Sequence, residues 1–291
     1  MTMHVQVRRR PPIVPAGPLD LGHIIGGAFR LIRFATAVTV GFPIAAVLIG
    51  IGIPALLFMA LGLDHPQHWI SVVSFFVIVC PLWVGLALTT IAASFAALDH
   101  AVRGERLSVA AALSVGVRRA PGLGGVFLMV VAVVLLVSVA GMLPMLLASL
   151  IGGTDRSFWF FAPVLMLCMF CALGVATYLH VALITAGPIY VVEGVGVWAA
   201  LSAALAQARG NWWRTFGILL LSNLVLNVVP YIAMIPAALM TVAVSTAAST
   251  WAAYVVGGLW AALVLGCVSA FGTGVVGLLH YDQRARSRLR M

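Results

Sequence analysis

The chain has 291 residues, of which 63% are hydrophobic and only 8% are charged. This composition excludes an ordinary soluble domain and is typical of a protein embedded in a membrane. The net charge is +9, and all sixteen basic residues are arginine. Because these arginines flank apolar segments, we expect them to bind anionic lipid headgroups, and their sparse spacing argues against nucleic acid as a partner.

Residues 1–18 form a basic, proline-rich segment that contains three consecutive arginines. A secretory signal would need a short apolar core soon after these charges, and none follows. We therefore expect a retained cytoplasmic tail, which its prolines keep extended.

The next segment, LDLGHIIGGAFRLIR, has the periodicity of an amphipathic helix. Its predicted apolar face carries Leu21, Ile24, Ile25, Ala28 and Ile32, and its polar face carries Asp20, His23, Gly27 and Arg30. This pattern predicts a helix that lies on the membrane surface and does not cross it.

Six apolar runs are long enough to cross a hydrocarbon layer of about 30 Å. They cover residues 35–63, 69–98, 122–151, 158–186, 213–244 and 250–279. With a cytoplasmic amino terminus, fifteen of the sixteen arginines fall on the cytoplasmic side, and only Arg156 falls in an outer loop. The positive-inside rule then predicts a multi-pass protein of a bacterial cytoplasmic membrane with both termini in the cytoplasm.

Residues 107–119 and 198–209 also have helical character on the predicted cytoplasmic side. Aligning them with the first amphipathic segment brings Arg30, Arg118 and Arg209 into register, and Asp20 and Ser108 then share a position suited to capping a helix amino terminus. This register predicts an all-α fold of three units, each with one interfacial helix and two spanning helices. The units cover residues 19–98, 99–187 and 188–280, and a basic cytoplasmic tail covers 281–291.

Four stretches of the chain carry a family resemblance, namely PLDLGHIIGGAFRLIRF, RGERLSVAAALSVGVRRAPG, GPIYVVEGVGVWAALSAALAQARGNWWRTFGILL and LLHYDQRARSRL. In this order and spacing they resemble the membrane domain of glycerophosphoryl diester phosphodiesterases. The resemblance covers the chain from Pro18 to Leu289, and its most specific parts are the glutamate-glycine pair and YDQRAR. It implies the membrane part without the separate catalytic barrel, in which acidic and histidine residues work with a divalent metal.

The residues themselves give no catalytic constellation. All seven acidic residues are predicted at membrane boundaries or in loops, and the chain contains no HExxH, GxSxG or glycine-rich phosphate loop. Cys168 and Cys171 form a CxxC, but zinc or redox use would need further ligands and water access, so packing inside a membrane helix is favoured. We expect no enzyme activity, no metal and no cofactor.

Two acidic residues near arginines are candidates for a structural role. Glu193 precedes a glycine turn, where its carboxylate can accept amide hydrogen bonds or pair with Arg209 or Arg214. The alternative is a proton-carrying or metal-binding acid. Asp282 can form an i, i+4 pair with Arg286, although a solvated helix end is the favoured interpretation.

Almost no ionisable residues fall near the middle of the predicted spans, which argues against an ion-coupled transporter. His180 lies toward the cytoplasmic end of the fourth run. Asn223 and Asn227 share one face of the fifth, where they bond a neighbouring helix or, alternatively, line a path. Trp212 and Trp213 indicate an interfacial anchor at the start of that helix.

The function expected from these observations is a non-enzymatic membrane module that assembles with partner proteins or anionic lipids. The alternative is a transporter or lipid-handling protein for a phosphorylated or acidic amphiphile, which a wide polar cavity open to one leaflet would favour. The candidate contacts to a lipid headgroup are Arg30, Arg33, Arg118, Arg119, Arg209 and Arg214.

Overall fold

The computed structural model describes residues 17–60, 73, 75–152, 156–247 and 250–289, and every regular element in these ranges is helical. The predicted tail at 1–18 lies outside them except for its last two residues. The helices are α1 Leu21–Phe34, α2 Phe42–Ala60, α3 Cys80–Val102, α4 Val109–Gly152, α5 Arg156–Leu183, α6 Val197–Ala208, α7 Trp212–Ala247 and α8 Thr250–Arg288. π-Helical turns precede α2 and α3 at Ala37–Gly41 and Phe75–Val79, and a third lies at Ile189–Glu193.

The described chain is an all-helical, multi-pass membrane protein. Five helical stretches are long and apolar enough to cross a bilayer, namely Val77–Val102, Val109–Pro144, Ala162–Glu193, Trp212–Val244 and Val255–Arg288. A sixth is obtained only when α1 and the following segment Ala37–Gly50, which meet at 89°, are counted as one bent span. The predicted number of six spans therefore depends on how this bend is counted.

The helix α1 packs on α8 through small residues. Ile24, Gly27 and Ala28 are buried, and a Cβ added at Gly274 of α8 would lie 3.1 Å from the Cβ of Ala28. Two assignments to the predicted faces were wrong, because Gly27 is buried whereas Leu21 is 39% exposed. Close approach of the two helices requires small residues at their contact, and this requirement rotates the buried face away from Leu21.

The two helix caps predicted from the repeat differ. Ser108 accepts a hydrogen bond on Oγ from the N–H of Ala111 at 3.3 Å, as expected for a capping residue. Asp20 stands at the N-cap position of α1, but its side chain makes no capping bond and is 87% exposed. The predicted cap is therefore wrong for Asp20, whose exposed carboxylate lies 4.0 Å from Nδ1 of His23.

Two of the three predicted interfacial segments form separate helices. Residues 21–34 form α1, and residues 197–208 form α6, which begins after Gly196 and ends before Gly210. The segment 107–119, in contrast, continues without a break into the span, because α4 runs from Val109 to Gly152 with Pro121 inside it. Proline removes one backbone hydrogen bond without having to end the helix. The threefold repeat remains a prediction.

The tightest packing lies at one end of the bundle. The largest buried cluster there joins Leu31 of α1, Leu98 of α3, Ile218 of α7 and Leu278 of α8. Half of the apolar stretch of α8 is buried, against 11% of that of α4. We call this the arginine-rich end, because the described arginines other than Arg156 lie on the segments that meet there. Because side chains are densely packed at the arginine-rich end, a site formed there can be rigid.

Candidate functional site

The last turns of α8, residues 280–286 with the sequence HYDQRAR, form the centre of the arginine-rich end, and we call them the α8 hub. His280 and Asp282 are fully buried, and Gln283 is 1% exposed. Polar groups are costly to bury without hydrogen-bond partners, so the surrounding helices must supply them.

Asp282 joins three parts of the chain. Its Oδ1 accepts a hydrogen bond from the backbone N–H of Leu19 at 2.8 Å, and Nε of Arg286 donates to Oδ1 at 3.0 Å and to Oδ2 at 3.2 Å. Arg214 of α7 donates to Oδ2 and also to the carbonyl oxygen of Leu19. The predicted i, i+4 pair with Arg286 is present, but the solvated helix end is wrong, because the chain before α1 covers this carboxylate.

Arg214 was predicted to contact a lipid headgroup or Glu193, but it bonds other groups of the protein. Both of its donor contacts are internal, to Asp282 and to the Leu19 carbonyl, and neither reaches Glu193. A guanidinium held between a buried carboxylate and a backbone carbonyl stabilises the fold and is not free to bind a lipid headgroup. Arg214 therefore has a structural role at the α8 hub.

Glu193 lies on the other side of the α8 hub. Its Oε1 is 3.4 Å from Nη1 of Arg284 and 3.5 Å from Nε2 of His280, and its side chain is 25% exposed. The predicted pairing with an arginine is therefore present, and the arginine is Arg284 of α8 where Arg209 and Arg214 were the examples considered. Glu193 ends a π-helical turn, and the positive φ of 71° at the following glycine turns the chain toward α6.

Neutral side chains complete the α8 hub. Nε2 of Gln283 donates to Oγ1 of Thr215 at 2.9 Å, and Oγ1 of Thr185 donates to Oε1 of Gln283 at 3.4 Å. Nδ1 of His280 lies 3.4 Å from Oε1 of Gln207 on α6. Through these contacts α8 also holds α6, α7 and the chain after α5.

Asp99 at the end of α3 is the acidic residue that sequence reasoning missed. Its Oδ1 accepts a hydrogen bond from the Tyr281 hydroxyl at 2.5 Å, and its Oδ2 lies 2.6 Å from Nη2 of Arg103. The hydrogen bond from Arg103 to the Asp99 carboxylate raises the pKa of the Arg103 guanidinium above its ordinary value. The sequence could have predicted the pair of Asp99 and Arg103, because these residues have the same i, i+4 spacing as Asp282 and Arg286.

An open pocket of about 600 Å³ lies between these groups. Arg103, Arg284 and Arg288 line it together with the carboxylates of Asp99 and Glu193, which are already paired. Its wall is completed by Gly17, Leu19, Val102, Val192, Val195, Tyr281 and Ala285. Three guanidinium groups against two carboxylates leave an excess of positive charge, and the volume suits a small ligand. We call it the arginine pocket.

A second pocket of about 310 Å³ adjoins it and shares Asp99 and Val192. This second pocket adds His100, Arg118 and Arg119, so two of the candidate headgroup arginines lie beside the arginine pocket. The guanidinium of Arg119 stands 5.5 Å from the ring centre of Tyr190, which orients it by a cation–π contact.

The other candidate arginines lie apart from these pockets. Arg33 lines a separate pocket of about 300 Å³ with Arg106, whose guanidinium stands 5.7 Å from the ring centre of Phe34. Arg30 on α1 and Arg209 after α6 are exposed. The structure therefore brings the six predicted arginines to one end of the bundle, but not into one site.

The polar residues predicted within spans do not join the α8 hub. His180 lines an apolar groove of about 210 Å³ between α4 and α5. Asn223 and Asn227 are exposed on α7, and Nδ2 of Asn227 donates to the backbone carbonyl of Asn223 at 2.7 Å. That bond lies within a single helix, so the predicted bond to a neighbouring helix is not made in the described part of the chain.

Fold and site together define a multi-pass helical membrane protein with a basic, open pocket at one end of its bundle. No family model, curated protein or solved structure matches the chain. Among the described residues, no group of three or more histidine, cysteine, aspartate or glutamate side chains could hold a metal ion. The arginine pocket is therefore the feature from which we infer a function.

Proposed function

We propose that this protein is a non-enzymatic module of the bacterial cytoplasmic membrane that binds anionic lipid headgroups in the arginine pocket. The main support for this proposal is that Arg103, Arg284 and Arg288 line one open pocket of about 600 Å³ at the end of the bundle. Guanidinium groups bind phosphate oxygens through paired hydrogen bonds, and a basic site at the membrane surface attracts anionic lipids.

Binding fits the site better than catalysis. A general acid or base must be free to exchange a proton with a substrate. Here Asp99 bonds Arg103 and Tyr281, and Glu193 faces Arg284 and His280, so both pocket carboxylates have internal partners. We therefore assign these carboxylates to the orientation of the arginines and of the chain around them.

The same pocket also supports the second candidate function, a lipid-handling protein or transporter for a phosphorylated or acidic amphiphile. Its wall combines charged and apolar side chains, it is open at one end of the bundle, and the pocket with Arg118 and Arg119 extends it. Transfer of a fluorescent anionic lipid between two vesicle populations distinguishes the candidates, because a module that only binds leaves the transfer rate unchanged.

The proposed orientation places both described chain ends in the cytoplasm. The Leu19 N–H bonds Asp282, so residue 19 and the end of α8 lie on the same side of the bundle. The arginines of that side then fall inside, in agreement with the positive-inside rule. Accessibility of single engineered cysteines near residue 288 to a membrane-impermeant thiol reagent in intact cells tests this orientation, and labelling would contradict it.

We also propose that the chain is related to the membrane domain of glycerophosphoryl diester phosphodiesterases. The support is that the two most specific parts of the resemblance meet in space, since Glu193 of the glutamate-glycine pair lies 3.4 Å from Arg284 of YDQRAR.

The headgroup proposal is tested with purified protein in neutral nanodiscs. Anionic phosphatidylglycerol and neutral phosphatidylcholine are titrated against wild type and the double variant Arg284→Gln/Arg288→Gln. We expect the variant to bind phosphatidylglycerol about tenfold more weakly, which is about 1.4 kcal/mol. The control Arg209→Gln removes a charge from the same end of the bundle but outside the pocket.

Equal loss of affinity in Arg209→Gln and the double variant would mean that only net charge matters, and it would refute a pocket. A third titration with soluble glycerol 3-phosphate separates a lipid site from a site for the free phosphate. Tighter binding of the soluble compound than of the lipid would contradict the lipid proposal.

A further inference from the structure

We propose that the outer face of α7 binds a second copy of this chain through the carboxamides of Asn223 and Asn227. The helix packs through its inner face, where Thr215, Ile218 and Ser222 are buried. The two asparagines lie on the exposed side instead. This inference goes beyond headgroup binding, which requires only a single chain.

The depth of the two amides makes their exposure informative. Trp212 and the exposed Trp213 mark the membrane surface at the start of α7, as expected of interfacial tryptophans. At 1.5 Å per residue, Asn223 lies about 16 Å and Asn227 about 22 Å further along the helix. In a hydrocarbon layer about 30 Å thick, Asn223 lies near the middle and Asn227 about 8 Å from the far side, so both lie within the layer. Polar side chains at such depth usually face other protein, because lipid offers no hydrogen bond.

Other outward faces of the bundle look different. The most exposed side chains of α4 include Leu128 at 69% and Leu136 at 71%, and those of α5 include Leu167 at 62%. These faces suit lipid acyl chains. On α7 the amides stand among large exposed side chains, namely Leu220, Leu224, Tyr231 and Ile235. The α7 face therefore combines an apolar surface with hydrogen-bonding groups that lipid cannot satisfy.

A second copy is the occupant that the chemistry of the face favours. A carboxamide carries both donors and an acceptor, so it is complementary to another carboxamide. Asn227 uses one N–H within its own helix, which leaves its other N–H and its side-chain oxygen available. In a twofold dimer each residue faces its own counterpart or a close neighbour, and asparagine pairs across the axis satisfy both chains at once.

The oligomeric state in a bilayer tests this proposal. Fluorescently labelled wild type and the double variant Asn223→Leu/Asn227→Leu are reconstituted at high dilution, and photobleaching steps are counted for each particle. We expect two steps for wild type and one for the variant, with at least a tenfold weaker dimer. Retained phosphatidylglycerol binding by the variant shows that it is folded. A wild type that bleaches in one step, or a folded variant that remains dimeric, would overturn the proposal.

Cysteine crosslinking locates the interface. In a background in which the four native cysteines are replaced, Leu224→Cys on the α7 face should form an intermolecular disulfide on mild oxidation. Leu128→Cys on α4 is the matched control, since both leucines are exposed on membrane helices. Crosslinking through Leu128→Cys alone would place the contact elsewhere and refute the α7 face. Dimer loss with unchanged headgroup affinity keeps this proposal separate from the proposed function.

Discussion

Asp282 within the α8 hub and Glu193 beside it both form ion pairs at the end of α8, yet their surroundings differ. Asp282 is fully buried and receives hydrogen bonds from Leu19, Arg214 and Arg286. Glu193 is 25% exposed, and its nearest partners, Arg284 and His280, lie at 3.4 and 3.5 Å. We call these two sets of contacts the Asp282 junction and the Glu193 junction. The Asp282 junction fixes the positions of α1, α7 and α8, whereas the Glu193 junction, with its longer distances, forms part of the wall of the arginine pocket. One helix end thus has a buried side that stabilises the fold and an open side that lines the arginine pocket.

Replacing Asp282 with asparagine should have the largest effect. The variant Asp282→Asn keeps the shape of the side chain but leaves Arg214 and Arg286 without their carboxylate. Breaking a buried ion pair in this way costs about 3–5 kcal/mol. The measurement is the free energy of unfolding in mixed micelles titrated with sodium dodecyl sulfate. A loss of stability no greater than that of Glu193→Gln would erase the difference between the two junctions.

The variant Thr215→Val tests whether neutral contacts also stabilise the α8 hub. It removes the hydroxyl that accepts from Gln283 at 2.9 Å and leaves a buried amide donor without its partner. We expect a loss of about 1–3 kcal/mol in the free energy of unfolding. Thr36→Val is the control, because the Thr36 hydroxyl donates to the Ile32 carbonyl four residues earlier at an exposed position. Equal losses in both variants would show that the hub contact adds nothing.

The variant Glu193→Gln should change binding more than stability. The carboxylate is partly exposed and its ion pair is long, so its loss should cost less than about 1 kcal/mol. Removing a negative charge from the arginine pocket should at the same time strengthen phosphatidylglycerol binding severalfold. Nanodisc titration measures the affinity, and unfolding in mixed micelles measures the stability. Strong destabilisation with unchanged affinity would make Glu193 a second structural junction.

The smallest effect is expected at Asp20, an acidic residue with no part in either junction. Its side chain is 87% exposed and makes no capping bond, so Asp20→Ala should leave the free energy of unfolding unchanged within error. Ser108→Ala removes a cap that is present and should cost about 0.5–2 kcal/mol. Reversal of this order would mean that the carboxylate of Asp20 caps α1 in the membrane.

Local features of the chain were predictable from sequence, and long-range ones were not. The apolar runs indicated the spans, and the spacing of Asp282 and Arg286 indicated their pair, because both depend on neighbours within one helix. The bond between Leu19 and Asp282 joins residues 263 positions apart, and no periodicity reports such a contact. Likewise, Asp99 became part of the site only because folding brings Tyr281 to it.

Separation along the chain also matters for how the protein is made. Membrane helices are synthesised and inserted in order, so α1 leaves the ribosome long before the residue that holds its first turn exists. Until then the N–H of Leu19 and the guanidinium of Arg214 both lack the carboxylate of Asp282. These contacts of α1 and α7 therefore form only after α8 has been synthesised. A chain truncated before residue 282 would lack the carboxylate that holds Leu19 and Arg214 together.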